Sequence, residues 1–83
     1  MKITVKLFAL LGKYLPDGAE RNVTELEVAE DATVEQVIHG LNLPLEHCHL
    51  VLVNGVYVAP SERPARALKE GEALAIWPPV AGG

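Results

Sequence analysis

Thr33-Val34-Glu35-Gln36, with further apolar residues at Val37, Ile38 and Leu41, confines this chain to a narrow set of folds. The Thr33 hydroxyl is placed to accept the Gln36 N–H while the Gln36 side chain reaches back to the Thr33 N–H, a capping box. Val34, Val37, Ile38 and Leu41 then fall at i, i+3, i+4 and i+7, one apolar stripe, and Glu35, Gln36 and His39 face away. Gly40 and Pro44 limit extension, so the spacing predicts one amphipathic helix of about three turns. Its task is to close one face of a sheet.

The rest of the chain supplies that sheet. Residues 2–8 alternate, Ile3, Val5 and Leu7 against Lys2, Thr4, Lys6 and Phe8, and predict a half-buried first strand. Residues 24–28 alternate again, Leu26 and Val28 against Glu25 and Glu27, and predict a second strand returning antiparallel to the first. Between them, residues 9–15 allow a short helical turn before the turn signal Pro16-Asp17-Gly18. Residues 49–53 are a run ending in Asn54-Gly55, the strongest two-residue hairpin signal, and Val56-Tyr57-Val58 continue beyond it. Pro60 and Pro64 break a regular ladder, residues 65–68 predict one helical turn, and Lys69-Glu70-Gly71 leads into a last strand over 73–77 that Pro78 stops. The expected fold is α+β: a mixed sheet of four to five strands with one main helix packed across one face.

With 83 residues, 49% of them hydrophobic, the chain makes one domain near the small end of what buries its own core. The net charge is −4 and the Lys and Arg residues are scattered, which leaves neither a phosphate-tracking stripe nor a basic membrane patch. Nucleic acid and membrane are therefore not expected partners. No apolar run reaches a membrane span, Lys2 and Lys6 interrupt the first apolar positions, and the lone Cys48 has no internal disulfide partner, so the expected location is cytoplasmic.

Two features are in excess of what a fold needs. Leu50 to Val53 are apolar at both parities, and in the last strand Leu74 and Ile76 oppose Ala73, Ala75 and Trp77. One short helix cannot cover both faces. Either residues 9–15 close the second face or it is an apolar surface for a partner, with Phe8 and Trp77 as its candidate contacts. The other feature is the ending, Pro78-Pro79-Val80-Ala81-Gly82-Gly83: two prolines that restrict φ, two small residues, and two with no side chain. Extended, it projects roughly 20 Å at about 3.3 Å per residue. The chain is accordingly divided into a domain over 1–77 and a tail over 78–83.

The order of elements, the Val53-Asn54-Gly55 turn, the Lys69-Glu70-Gly71-Glu72 turn and above all the Pro78 to Gly83 ending resemble the MoaD/ThiS-type ubiquitin-like β-grasp sulfur carriers. The tail is most similar to the small subunit of molybdopterin synthase. The compact stretch 42–49 is closer to the thiamin-pathway carrier. The resemblance implies a carrier or non-catalytic small subunit with no stably bound cofactor. An E1-like adenylating partner would use ATP and Mg to activate the Gly83 carboxylate. Sulfur would then replace the AMP, and the thiocarboxylate would serve the large subunit of molybdopterin synthase or an equivalent sulfur acceptor. Gly82 and Gly83 would present the reacting carbon, and Pro78, Pro79, Val80 and Ala81 would contact the partner. The same activated intermediate would also serve thiamin thiazole synthesis, or a protein modifier joined through Gly83 to a target lysine.

Other signals are weaker. His47-Cys48-His49 has a ligand-like spacing if it starts a strand, but a structural zinc needs about four ligands and only His39 and scattered carboxylates remain, so no metal is expected. Cys48 has no base assigned to it by sequence, and sulfur is expected to ride on Gly83. Glu25, Glu27, Glu30 and Asp31 read as a solvated strand edge and helix start, and Tyr57 as cover for the hairpin.

Overall fold

The Thr33 capping box forms as the spacing requires: the Gln36 N–H donates to Thr33 Oγ1 at 3.2 Å and the Thr33 N–H to Gln36 Oε1 at 2.9 Å. The structure is a computed structural model describing residues 1–16, 19 and 21–79. Helix α1 spans Val34–Gly40 and buries Val34, Val37 and Ile38. It is two turns long, shorter than the stripe predicts. Asn42 takes a φ of 60°, its N–H bonds the His39 carbonyl at 3.0 Å, and the Leu43 N–H bonds the Ile38 carbonyl at 3.2 Å. That pair is a Schellman closure, and buried Leu43 makes the apolar contact that accompanies one.

Strands β1 (Lys2–Leu7), β2 (Val23–Glu27), β3 (Leu50–Val53), β4 (Val56–Tyr57) and β5 (Ala73–Trp77) form one sheet in the order β2-β1-β5-β3-β4. β1 and β5 are parallel and every other pair is antiparallel, so the sheet is mixed, and with α1 across one face the fold is a ubiquitin-like β-grasp. Between β3 and β4, Asn54 (φ 48°) and Gly55 (φ 83°) both occupy the left-handed region that a tight twisted hairpin demands. Asn54 also ties the turn to β5, its Oδ1 accepting the Ala73 N–H at 2.8 Å.

Beneath α1, Ile3, Val5 and Leu7, Val51 and Val53, and Leu74 and Ile76 are fully buried, one parity from each strand. Leu11, Leu43, Val58 and Leu68 close the ends of this core. No helical turn occupies 65–68. A 3₁₀ turn lies earlier, at Pro60–Glu62, and the chain then runs beside the start of α1, where Thr33 and Ala67 form an isolated bridge. The Val34 and Glu35 N–H groups, which have no acceptor inside the helix, bond the carbonyls of Arg66 and Arg63 at 3.0 and 3.1 Å. Satisfying the helix start outweighs the local turn preference.

The same segment is fastened to β5 through Glu72, which accepts from Arg66 Nη2 at 3.0 Å and from the Lys69 N–H at 2.7 Å. The Arg66 hydrogen bond, and secondarily the Lys69 N–H, holds the Glu72 carboxyl below the usual carboxylate range. A depressed folded value contributes stability above the unfolded pKa of about 4.3, lost as pH falls through the folded value. Glu72→Gln is expected to lower urea stability at pH 7 by no more than about 1 kcal/mol. The difference from the parent should shrink as pH falls below about 4.3 and close once pH is below the depressed folded value. A gap that stayed constant into acid would remove the ion pair from this role.

Candidate functional site

Among the described residues no element covers the face of the sheet away from α1. The 3₁₀ turn Ala9–Tyr14 sends Leu11 into the core and leaves Leu10 81% exposed, so it caps the end of the domain instead of closing this second face. Directly opposed residues share a face, so the register divides the open side into rows. Phe8 follows Leu7, which pairs with Ile76, so Phe8 lies beside Trp77, and Trp77 pairs with Leu50. The Phe8 and Trp77 rings are stacked with centroids 4.2 Å apart and planes 4° from parallel. The next row runs Val23, Lys6, Ala75, Leu52, Tyr57. Beyond it come Glu25, Thr4 and Ala73, then Glu27 and Lys2. The apolar rows are those nearest the C-terminal end of β5. Val23, Leu50 and Tyr57 are each more than a third exposed. Tyr57, read from sequence as hairpin cover, stands opposite Leu52 on this face.

β5 is the middle strand and is held to its last residue: the Phe8 N–H bonds the Ile76 carbonyl at 3.1 Å and the His49 N–H bonds the Trp77 carbonyl at 3.0 Å. Pro78 follows half-buried and Pro79 exposed. Beside them is a cleft of about 290 Å³ between Leu10, Leu11, Lys13 and Tyr14 on one side and His47 on the other. The Lys13 ammonium lies 5.4 Å from the Tyr14 ring centroid. Lys13, Tyr14 and His47 were missed as neighbours of the tail because their approach depends on two 3₁₀ turns, and no periodicity marks those. Val80, Ala81, Gly82 and Gly83 lie outside the described residues.

Residues 5–83 match the ThiS family. The chain belongs to the ThiS family. Its fold is shared with SAMP1 from Haloferax volcanii at 28% identity over 100% of both chains and a TM-score of 0.71. A putative molybdopterin converting factor, subunit 1, from Pyrococcus furiosus is 26% identical over 95% of this chain and 98% of its own, with a TM-score of 0.67. Subunit 1 and 2 of the Helicobacter pylori molybdopterin-converting factor form a complex whose matching chain is 18% identical over 100% of both, with a TM-score of 0.61, a likeness of fold alone. No curated protein sequence matches significantly.

In this ThiS-family chain the His47-Cys48-His49 run does not begin a strand. Leu45–His47 is a 3₁₀ turn and β3 starts at Leu50, which leaves both histidines exposed and Cys48 buried between them. Among the described residues no three His, Cys, Asp or Glu side chains cluster as metal ligands, and no helix is long and apolar enough to cross a membrane. Burial pushes the Cys48 thiol above its ordinary value, with the Arg63 guanidinium pulling the other way. Arg63 is itself buried, donating from Nη1 to the Cys48 carbonyl at 3.1 Å and from Nε to the Val58 carbonyl at 3.4 Å. A buried, protonated thiol is a poor nucleophile. Cys48→Ser is expected to leave uptake of sulfur, read by intact mass, unchanged; a loss would assign Cys48 a chemical part.

Proposed function

We propose that this chain is a sulfur carrier whose reacting atom is the Gly83 carboxyl carbon. Membership of the ThiS family carries the reading, and the position of the tail root supports it: Pro78 and Pro79 leave the middle strand next to the apolar rows of the open face. A carboxylate with a pKa of about 3.5 is ionised at pH 7 and resists attack. On an E1-like partner the Gly83 carboxylate attacks the α-phosphorus of Mg-bound ATP, releasing pyrophosphate and forming an acyl-adenylate. Hydrosulfide then adds to that carbonyl, AMP leaves with the bonding pair, and loss of the S–H proton gives the thiocarboxylate. The open face, with Phe8 and Trp77 in the row beside the tail root, docks the partner, while the tail, 78–83, enters its active site and the domain, 1–77, is the handle. The chain itself keeps no cofactor and works in the cytoplasm.

The favoured acceptor is a molybdopterin synthase large subunit, since the Pyrococcus furiosus relative is a "putative molybdopterin converting factor, subunit 1". Thiamin thiazole synthesis uses the same loaded tail. A second reading, conjugation of Gly83 to target lysines, is supported by the likeness to Haloferax volcanii small archaeal modifier protein 1, 27% identical over 95% of this chain. Intact mass after incubation with an adenylating enzyme, ATP, Mg and a sulfur source separates them. An oxygen-to-sulfur increment supports the carrier, and Gly-Gly remnants on other proteins without that increment support the modifier. An unchanged mass with no remnants defeats both.

A further inference from the structure

Leu10 stands 81% exposed, yet the turn that carries it is firmly held. Ala9 takes a φ of 53°, in the left-handed region that residues with a Cβ seldom occupy. By that kink Leu11 enters the core while Leu10 stays outside it. The Leu11 N–H bonds the Phe8 carbonyl and the Leu15 N–H bonds the Gly12 carbonyl, each at 3.1 Å. At Gly12 a Cβ would meet Asn22 Oδ1 at 3.0 Å, so the turn also lies close against the residue before β2. Leu10 is neither in the core nor among the half-buried side chains packed on it, and packing within the domain does not account for an aliphatic residue there.

The side chain stands at the root of the tail. Leu10 lines the cleft of about 290 Å³ together with Lys13, Tyr14 and His47, and Pro78 and Pro79 line it as well. Only four residues, 80–83, follow Pro79. Four residues reach at most about 14 Å, so a protein that closes around the Gly83 carboxyl must bring its surface up to these walls. The charged side chains lining the cleft are basic, Lys13 and, when protonated, His47; among the described residues no carboxylate joins them.

We propose that Leu10 anchors the adenylating partner, entering an apolar socket at the mouth of the channel that takes the tail, with a carboxylate of the partner placed on Lys13. The inference rests on the reading that such an enzyme activates Gly83, and it adds to the open face a second contact on a different element. Phe8 and Trp77 locate the sheet, while Leu10 and Lys13 fix the line along which the last residues leave it. Covering an exposed aliphatic side chain is favourable, and one already ordered by its turn has little freedom left to lose on binding. The opposite charge on the partner follows from the basic lining. Two copies joined here would set Lys13 near Lys13, which makes a second copy a poor occupant.

The test measures carrier-dependent ATP–pyrophosphate exchange by the adenylating enzyme over a range of carrier concentrations. Leu10→Glu should melt with the parent, since the side chain is exposed, and raise KM at least about tenfold with kcat kept, the mark of lost binding. Leu10→Ala should raise KM about threefold or more without a change of charge. Lys13→Glu should raise it about tenfold at low salt and lose most of that difference by about 0.5 M. Val56→Glu places the same charge on β4 at a residue 68% exposed and should leave KM at the parental value. A parental KM in Leu10→Glu, beside a raised KM in Phe8→Ala with Trp77→Ala, overturns this inference and leaves docking by the open face standing. So does a lower kcat at unchanged KM, an equal rise in Val56→Glu, or self-association of the chain that Leu10→Glu abolishes. No exchange with the parent chain overturns both.

Discussion

A Gly82→Val chain is expected to melt at the parent's temperature and to acquire no sulfur. The argument concerns the tail's chemistry alone. In the proposed reaction a carboxylate oxygen first attacks the α-phosphorus of ATP and the carbonyl carbon is then attacked by sulfur, so the tail would have to travel down a slender passage and present an open carbonyl. A β-branched residue one place before it widens the chain and restricts the backbone to fewer conformations. Misplacing reacting atoms by about 1 Å costs on the order of a hundredfold in rate, so loading falls at least that far. Deleting Gly83 has the same outcome for a different reason, since the carbonyl then falls one residue short. Both are read by intact mass after incubation with the adenylating enzyme, ATP, Mg and a sulfur source, beside a thermal melt. Loading of either variant at the parental rate would overturn the assignment of Gly83.

The second large effect is on docking. Phe8→Ala with Trp77→Ala removes the stacked pair at the centre of the row nearest the tail. Truncating paired aromatic anchors in an interface costs about 2–4 kcal/mol of binding. Affinity for the adenylating enzyme should therefore fall between about thirtyfold and a thousandfold. Folding loses less, because both side chains are half-exposed on the uncovered side and the buried parity of β1 and β5 is untouched. Calorimetric titration against the partner, paired with a urea melt, separates the two losses. An unchanged affinity would move the docking surface elsewhere.

Much of this was legible in residue spacing. The Thr33 and Gln36 box, the Asn54-Gly55 hairpin and the parity of β1, β2 and β5 are local, and each formed where its chemistry predicts. What spacing could not give was set by contacts distant in sequence. α1 stops early because Asn42 adopts a left-handed φ and Leu43 finds a buried site, neither of which its apolar stripe announces. Residues 65–68 avoid a helical turn because the carbonyls of Arg63 and Arg66 are claimed by the N–H groups at the start of α1. The parallel pairing of β1 with β5 puts Phe8 beside Trp77; alternation is indifferent to strand order. Lys13, Tyr14 and His47 became neighbours of Pro78 and Pro79 only through the turns that carry them. The rest of the tail, Val80 to Gly83, is known by composition.

The placement of β5 has a mechanical consequence. A partner drawing the tail into its active site, as proposed, would pull along the axis of the middle strand, gripped by β1 in parallel and by β3 antiparallel. Such a load shears two ladders at once, so their hydrogen bonds resist together instead of opening one after another from an end, as they would in a peeled edge strand. Tension on the tail is thus spread through the middle of the sheet, and the domain can be towed by its last residues without unravelling.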